Sequence, residues 1–212
     1  FYTNAAFICL NFLWLLTYRE PGRAERLARQ QRWRTGAERP PSLAREAWHE
    51  LRKPHLALYL LIFSVWWFMF PMLWDVLPKY IEDWVDTTVI VRALFGPEGT
   101  TNPVFQFLLG MDAAGLSIQP EGIVNLNAGM IMLTCFLFAA ISAKMRATTS
   151  LVVGTVLIIG ALVSFGWSCG AWVAVVAMVM FSAGEMLASP KFSEFLGNIA
   201  PSDKKAMWIG YS

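Results

Sequence analysis

The sequence predicts an all-α fold, a polytopic bundle of transmembrane helices, and three observations lead there. Hydrophobic residues make up 56% of the chain, charged residues only 15%, and mean hydropathy is +0.47; a soluble domain carries about 25% charged residues. The apolar residues gather into runs of about 18 or more instead of recurring at a helical or strand period, which is the pattern of bilayer-crossing helices. The charged residues collect between those runs, and their sign alternates from loop to loop. The net charge of +2 over 212 residues conceals that alternation.

Residues 1–18 read as the end of a truncated transmembrane helix, since the chain starts without methionine inside an apolar run. That run has neither a basic stretch before it nor a cleavage site after it, so it is not a signal peptide. Residues 19–55 form an interdomain linker in which Arg19 to Lys53 holds ten Arg and Lys against five Glu. The positive-inside rule makes this loop cytoplasmic. Its stretches Glu25–Arg34 and Ser42–Lys53 lack glycine and suit helices, with Ser42 placed as an N-cap and Leu43, Ala47 and Leu51 forming an apolar stripe. Such a segment serves as a bridging helix, as an anionic-lipid contact, or as a solvated linker.

The C-terminal bundle occupies 56–212. Its first span, 56–76, contains the Trp66-Trp67 pair and Pro71, where a kink is expected, and Trp74 and Trp84 suit an interfacial belt. Asp75 stands at the outer mouth, either as a functional acid or as an ordinary interfacial one. An extracytoplasmic loop follows over 77–122, with six acids against Lys79 and Arg92 between Pro78 and Glu121. Within it Thr88–Phe95 and Asn102–Met111 suit short surface helices, the second with an Asn cap before proline. The span 123–143 opens on Asn125 and Asn127 and ends at Lys144 and Arg146. The span 151–167 returns outward, and Gly154, Gly160 and the Gly166-x-x-x-Gly170 motif are expected to let helices approach closely. The span 171–199 comes next, then the charged turn Asp203-Lys204-Lys205 and the start of another segment at 206. Cys9, Cys135 and Cys169 lie in or beside apolar runs and read as small packing residues, not as a disulfide framework.

Glu185 is the residue that points to function. It is the only charged group in the first nineteen residues of the 171–199 span. It sits near the midpoint, roughly 20 Å from either end at ~1.5 Å per residue. An ionised carboxylate at that depth costs on the order of 3 kcal/mol, so it is retained where it faces a partner or a water-filled cavity. Ser182 at i−3 and Ser189 at i+4 extend a narrow polar stripe from it, and Pro190 places a kink one turn below. Glu185, Ser182 and Ser189, with Asn125, Asn127 and Asp75, are the candidate substrate- and proton-binding residues. For the two asparagines the alternatives are amides turned into a cavity or caps and interface groups.

The order Gly184-Glu185, Ser189-Pro190, Ala200-Pro201 and Gly210 resembles the tenth transmembrane helix and following turn of the proton-dependent oligopeptide transporters, a branch of the major facilitator superfamily. Asn127, followed by an apolar helix closing at Lys144-Met145-Arg146, resembles their eighth helix, and the basic loop resembles the linker between their two six-helix halves. The resemblance implies the C-terminal half of a twelve-helix fold, about helices six to eleven, partnered by an N-terminal six-helix half. It implies that Glu185 lines the central cavity and meets the amino end of a solute, with Asn127 beside it. The seventh-helix acid tied to proton coupling in that family has no counterpart midway along 56–76; only Asp75 is available, nearer the outside.

Two functions are expected from this. The first is a secondary active transporter in the cell membrane (a bacterial inner membrane), a proton-coupled symporter of a peptide-like or other small polar solute, with membrane lipid as its surroundings. The second is a transporter-derived subunit with a scaffold role and a partner within a larger membrane complex. No cofactor, metal or nucleic acid is expected, and no enzymatic activity: His49 and His55 both fall at the basic loop, with no nucleophile or metal set near them.

Overall fold

The computed structural model describes residue 9 and residues 23–36, 42–202 and 204–212. The expected helix end over 1–18 lies outside the described residues except for Cys9, as does Asp203. Among the described residues the chain is helical, with one isolated bridge between Met111 and Ile118 and no strand. It divides into two compact units, Phe1–Leu51 and Arg52–Ser212.

The first unit holds α1 (Arg23–Arg34) and α2 (Leu43–Leu51). Thr35 ends α1: its hydroxyl donates to the carbonyls of Gln31 and Arg32 at 3.0 and 3.1 Å. Gly36 follows at φ 71°, the left-handed turn that glycine adopts without strain.

The second unit begins with α3 (Pro54–Trp84), whose first turn uses a proline because that position needs no N–H donor. The apolar run over 56–76 lies inside α3, which continues two further turns. Leu73, Leu77 and Ile81 remain buried at i, i+4 and i+8 while the exposed face turns polar. There Lys79 pairs with Glu82 and Asp83 at 3.1 and 3.0 Å. The helix runs through both Pro71 and Pro78.

Two short helices, α4 (Thr88–Phe95) and α5 (Pro103–Leu109), fill the connection to α6 (Pro120–Ala143). Asn102 caps α5 by accepting the N–H of Val104 at 3.0 Å. The connection is pinned as a folded piece. Thr87 Oγ1 donates to the carbonyl of Ile118 at 2.8 Å and accepts that residue's N–H at 3.1 Å. Asp112 Oδ1 accepts the N–H groups of Leu116 and Ser117 at 2.8 and 3.2 Å.

The remaining helices are α7 (Ala147–Trp167), α8 (Ala171–Ile199) and α9 (Lys205–Ile209). Four of the described helices, α3, α6, α7 and α8, are long and apolar enough to cross a membrane. Helix α8 is central and packs against α6, α7 and α9. It meets α7 backbone to backbone. A Cβ added to Gly154 would fall 2.6 Å from the Gly184 carbonyl oxygen, and one added to Gly184 would fall 2.5 Å from that of Gly154. Helix α3 instead meets α8 through rings, with Tyr59, Phe63, Trp66 and Phe70 against Phe192, Phe195 and Phe181 at centroid distances of 4.8–6.4 Å.

Two expectations need correction. The Gly166-x-x-x-Gly170 motif does not bring helices together: nothing lies within 4 Å of a Cβ at Gly166, and Gly170 meets only Ser168 and Val173 of its own turn. The reason is that α7 ends at Trp167, so no helix connects the two glycines and they share no face. The cysteines are not all packing residues, since Cys9 and Cys169 are exposed and only Cys135 is half-buried.

The α7–α8 contact predicts that Gly154→Ala or Gly184→Ala destabilises the bundle by about 1–3 kcal/mol through overpacking. Gly166→Ala should be neutral, and detergent-solubilised thermal unfolding compares the three. A second expectation concerns Asp112, whose bonds from Ser117 and Leu116 hold its carboxyl below the usual carboxylate range. A depressed pKa stabilises the loop above the unfolded value of ~3.9 and loses that effect as pH falls through the folded value. Asp112→Ala should therefore expose the 110–118 turn to proteolysis at neutral pH, whereas the parent chain should open there only in acid.

Candidate functional site

Helix α8 carries Glu185 near its midpoint, and α6 carries Asn127 on the face turned toward it. Asn127 Nδ2 donates to Glu185 Oε2 at 3.1 Å. Glu185 is half-buried, whereas Asn127 is only 3% exposed. The other end of the amide, Asn127 Oδ1, is buried without a hydrogen-bond partner. An unmade bond at a buried carbonyl oxygen costs ~1–3 kcal/mol, so the amide is anchored at one end and unsatisfied at the other. On the next turns Thr134 Oγ1 donates to the Met130 carbonyl at 2.6 Å and touches Met186 Sδ at 3.6 Å.

One turn beyond Glu185, α8 runs through Pro190. Proline has no N–H, so the Met186 carbonyl four residues earlier loses its helical donor. Neighbouring helices supply hydroxyls on either side of that point. Ser150 on α7 donates to the Leu187 carbonyl at 2.8 Å, and Tyr59 on α3 donates to the Phe192 carbonyl at 3.0 Å. Ser142 Oγ on α6 lies 3.4 Å from Ser150 Oγ, completing a buried hydroxyl pair. Lys191, buried beside the proline, is neutralised by Glu194 at 2.6 Å. Ser142, Ser150 and Tyr59 were not singled out from sequence. A lone serine at a helix end and a tyrosine in an aromatic run carry no periodic signal, although a proline inside a span is itself a demand for outside donors.

The other candidate residues go elsewhere. Ser182 is fully buried and donates to the Met178 carbonyl of its own helix at 2.8 Å. Ser189 lines a cleft of about 490 Å³ between α3 and α8, with Ser64, Ser193, Phe63, Trp67 and Tyr211. Asp75 is exposed and lines a polar cleft of about 540 Å³ where α3 approaches the start of α6, with Lys79, Glu82, Gln119 and Glu121. Asn125 is exposed and lines a mainly apolar pocket beneath α4 and α5. Two residues along a helix turn the side chain by about 200° at 3.6 residues per turn, which separates Asn125 from Asn127. Glu185 and Asn127 line none of these three pockets, nor the two apolar ones against α3.

Chemically, the Asn127–Glu185 pair can hold and release a proton or bind a cationic donor, with one amide acceptor left to orient it. Among the described residues no group of three or more His, Cys, Asp or Glu is placed to hold a metal ion. No family model matches the chain, and no curated protein or solved structure shows significant similarity to it.

Removing the Ser150 hydroxyl should weaken the proline turn. Ser150→Ala is expected to cost about 1 kcal/mol, whereas Ser164→Ala, whose hydroxyl bonds only to Gly160 of its own helix, should cost less. Denaturant titration of the two variants in detergent checks the order.

Proposed function

We propose that this chain forms the helical core of a secondary active transporter, a proton-coupled symporter of a peptide-like or other small polar solute. The Asn127–Glu185 contact carries the reading. Two polar side chains from separate spans meet at 3.1 Å, and one buried amide oxygen remains unsatisfied. A purely structural pair is better served when every polar atom is bonded. An open acceptor beside a titratable carboxylate suits a ligand that comes and goes.

In this mechanism Glu185 takes up a proton or receives the ammonium group of the solute, and Asn127 Oδ1 accepts a second hydrogen bond from it. The cleft at Ser189 lies one turn along α8 and does not include the pair, so the mechanism requires the bundle to open between them. Asp75, in the cleft at the far end of α3, meets ions entering from that side. The resemblance to oligopeptide transporters adds rocking of two bundles about this site, the second bundle being an N-terminal six-helix half.

A specific observation favours the scaffold reading: among the described residues, Glu185 lines none of the clefts and pockets named above. One experiment separates the two. In proteoliposomes with an imposed pH gradient, the transporter takes up solute in proportion to the gradient, and Glu185→Gln lowers that uptake by an order of magnitude or more. The glutamine keeps an oxygen for Asn127 and loses only the proton. Equal uptake by the variant removes the mechanism, and a parent protein without gradient-driven uptake leaves the scaffold reading standing.

A further inference from the structure

Helix α5 has the sequence PVFQFLL, and the fold turns its one polar side chain inward. Gln106 Nε2 donates to the Thr100 carbonyl at 3.0 Å, while Phe107, Leu108 and Val104 stand 86%, 69% and 60% exposed. A loop element folding in water does the reverse, burying large apolar groups and leaving the amide in solvent. The backbone of α5 is also closed at both ends. Asn102 caps the first turn, and Met111 and Gly110 donate to the carbonyls of Gln106 and Phe107 at 2.8 and 3.3 Å. Such closure is what hydrocarbon demands of a backbone.

The depth of α5 agrees. Helix α6 ends at Ala143 and the charged residues Lys144 and Arg146 follow. With ~1.5 Å per residue and a hydrocarbon core of ~30 Å, the opposite boundary falls near residue 123. Helix α5 docks at that boundary, where a Cβ on Gly110 would fall 2.7 Å from the Gly122 Cα and one on Gly122 2.3 Å from the Leu109 carbonyl oxygen. From there Leu108 and Leu109 share a pocket with Leu126 and Gly129 of α6 and Trp172 of α8. Gly129 lies roughly 21 Å from Ala143 at ~1.5 Å per residue, hence about 9 Å inside the boundary. Helix α5 therefore sits against the outermost turns of α6 and faces them across this shared apolar pocket. The exposed Met132, Leu133 and Phe136 of α6 continue the same kind of surface deeper.

We propose that α5 is a monotopic element inserted sideways into the lipid leaflet, with Val104, Phe107 and Leu108 among the acyl chains beside α6. The inference depends on the chain spanning a bilayer and not on what it transports. The test replaces Cys9, Cys135 and Cys169 by alanine and attaches a nitroxide at Phe107→Cys, Leu108→Cys or Glu98→Cys, all exposed positions. The protein is placed in phosphatidylcholine bilayers, and collisions with lipid-soluble oxygen are compared with those of a water-soluble nickel chelate. Labels at 107 and 108 are expected to favour oxygen several-fold and the label at 98 to favour nickel. Nickel access at 107 and 108 equal to that at 98 puts α5 in water and overturns the proposal. Protection from both reagents means a protein covers the face, and overturns it equally.

Discussion

Hydrocarbon offers no hydrogen bonds, and that constraint organises the bundle. Each polar atom within the spans must be satisfied by the protein itself. Serine and threonine do so at short range: Ser182, Ser164 and Thr134 each donate to a carbonyl four residues back on their own helix. Around the break at Pro190, hydroxyls from other helices join in: Ser150 donates to the Leu187 carbonyl and Tyr59 to that of Phe192. Against that background the exceptions stand out. Asn127 Oδ1 and Trp66 Nε1 are buried without partners, and of these only Asn127 stands beside a carboxylate.

The same constraint sets how far apart the helices lie. Between α7 and α8 the paired glycines at 154 and 184 remove both Cβ atoms, so each backbone packs against the other's carbonyl. Without water to drive apolar surfaces together, such close dispersion contact is a main source of helix association. Between α3 and α8 the spacer is a layer of aromatic rings. The cleft that Ser189 lines opens on this ring-packed side, beside Phe63 and Trp67.

The connection between α3 and α6 follows a different logic. Thr87 bridges to Ile118, Asp112 closes the turn before it, and glycines at 110 and 122 seat α5 against α6. Residues 87–118 are thereby held as one folded piece with Ile90, Val91, Met111 and Ile118 buried, and only α5 turns its polar side chain inward and its apolar ones out. That inversion is ordinary for protein meeting lipid and foreign to protein meeting water.

Run length and capping residues are local properties, and the sequence alone settled what depends on them. Asn102-Pro103 places the start of α5 and Thr88–Phe95 forms α4, because caps and short amphipathic turns are written in neighbouring residues. Four runs became four long helices for the same reason. Where hydropathy faded while a buried stripe persisted, as at Leu77 and Ile81, the average hid the end of α3. Composition marked Glu185 as out of place, but tertiary structure chose its companion, bringing Asn127 to it and sending Asn125, Asp75 and Ser182 elsewhere. It also passed over the glycine motif at 166 and 170 in favour of Gly154 and Gly184. The physical reason is that partners on different helices are fixed by rotation about each axis and by the depth at which helices cross. Neither quantity is encoded in the spacing of residues along one strand of chain.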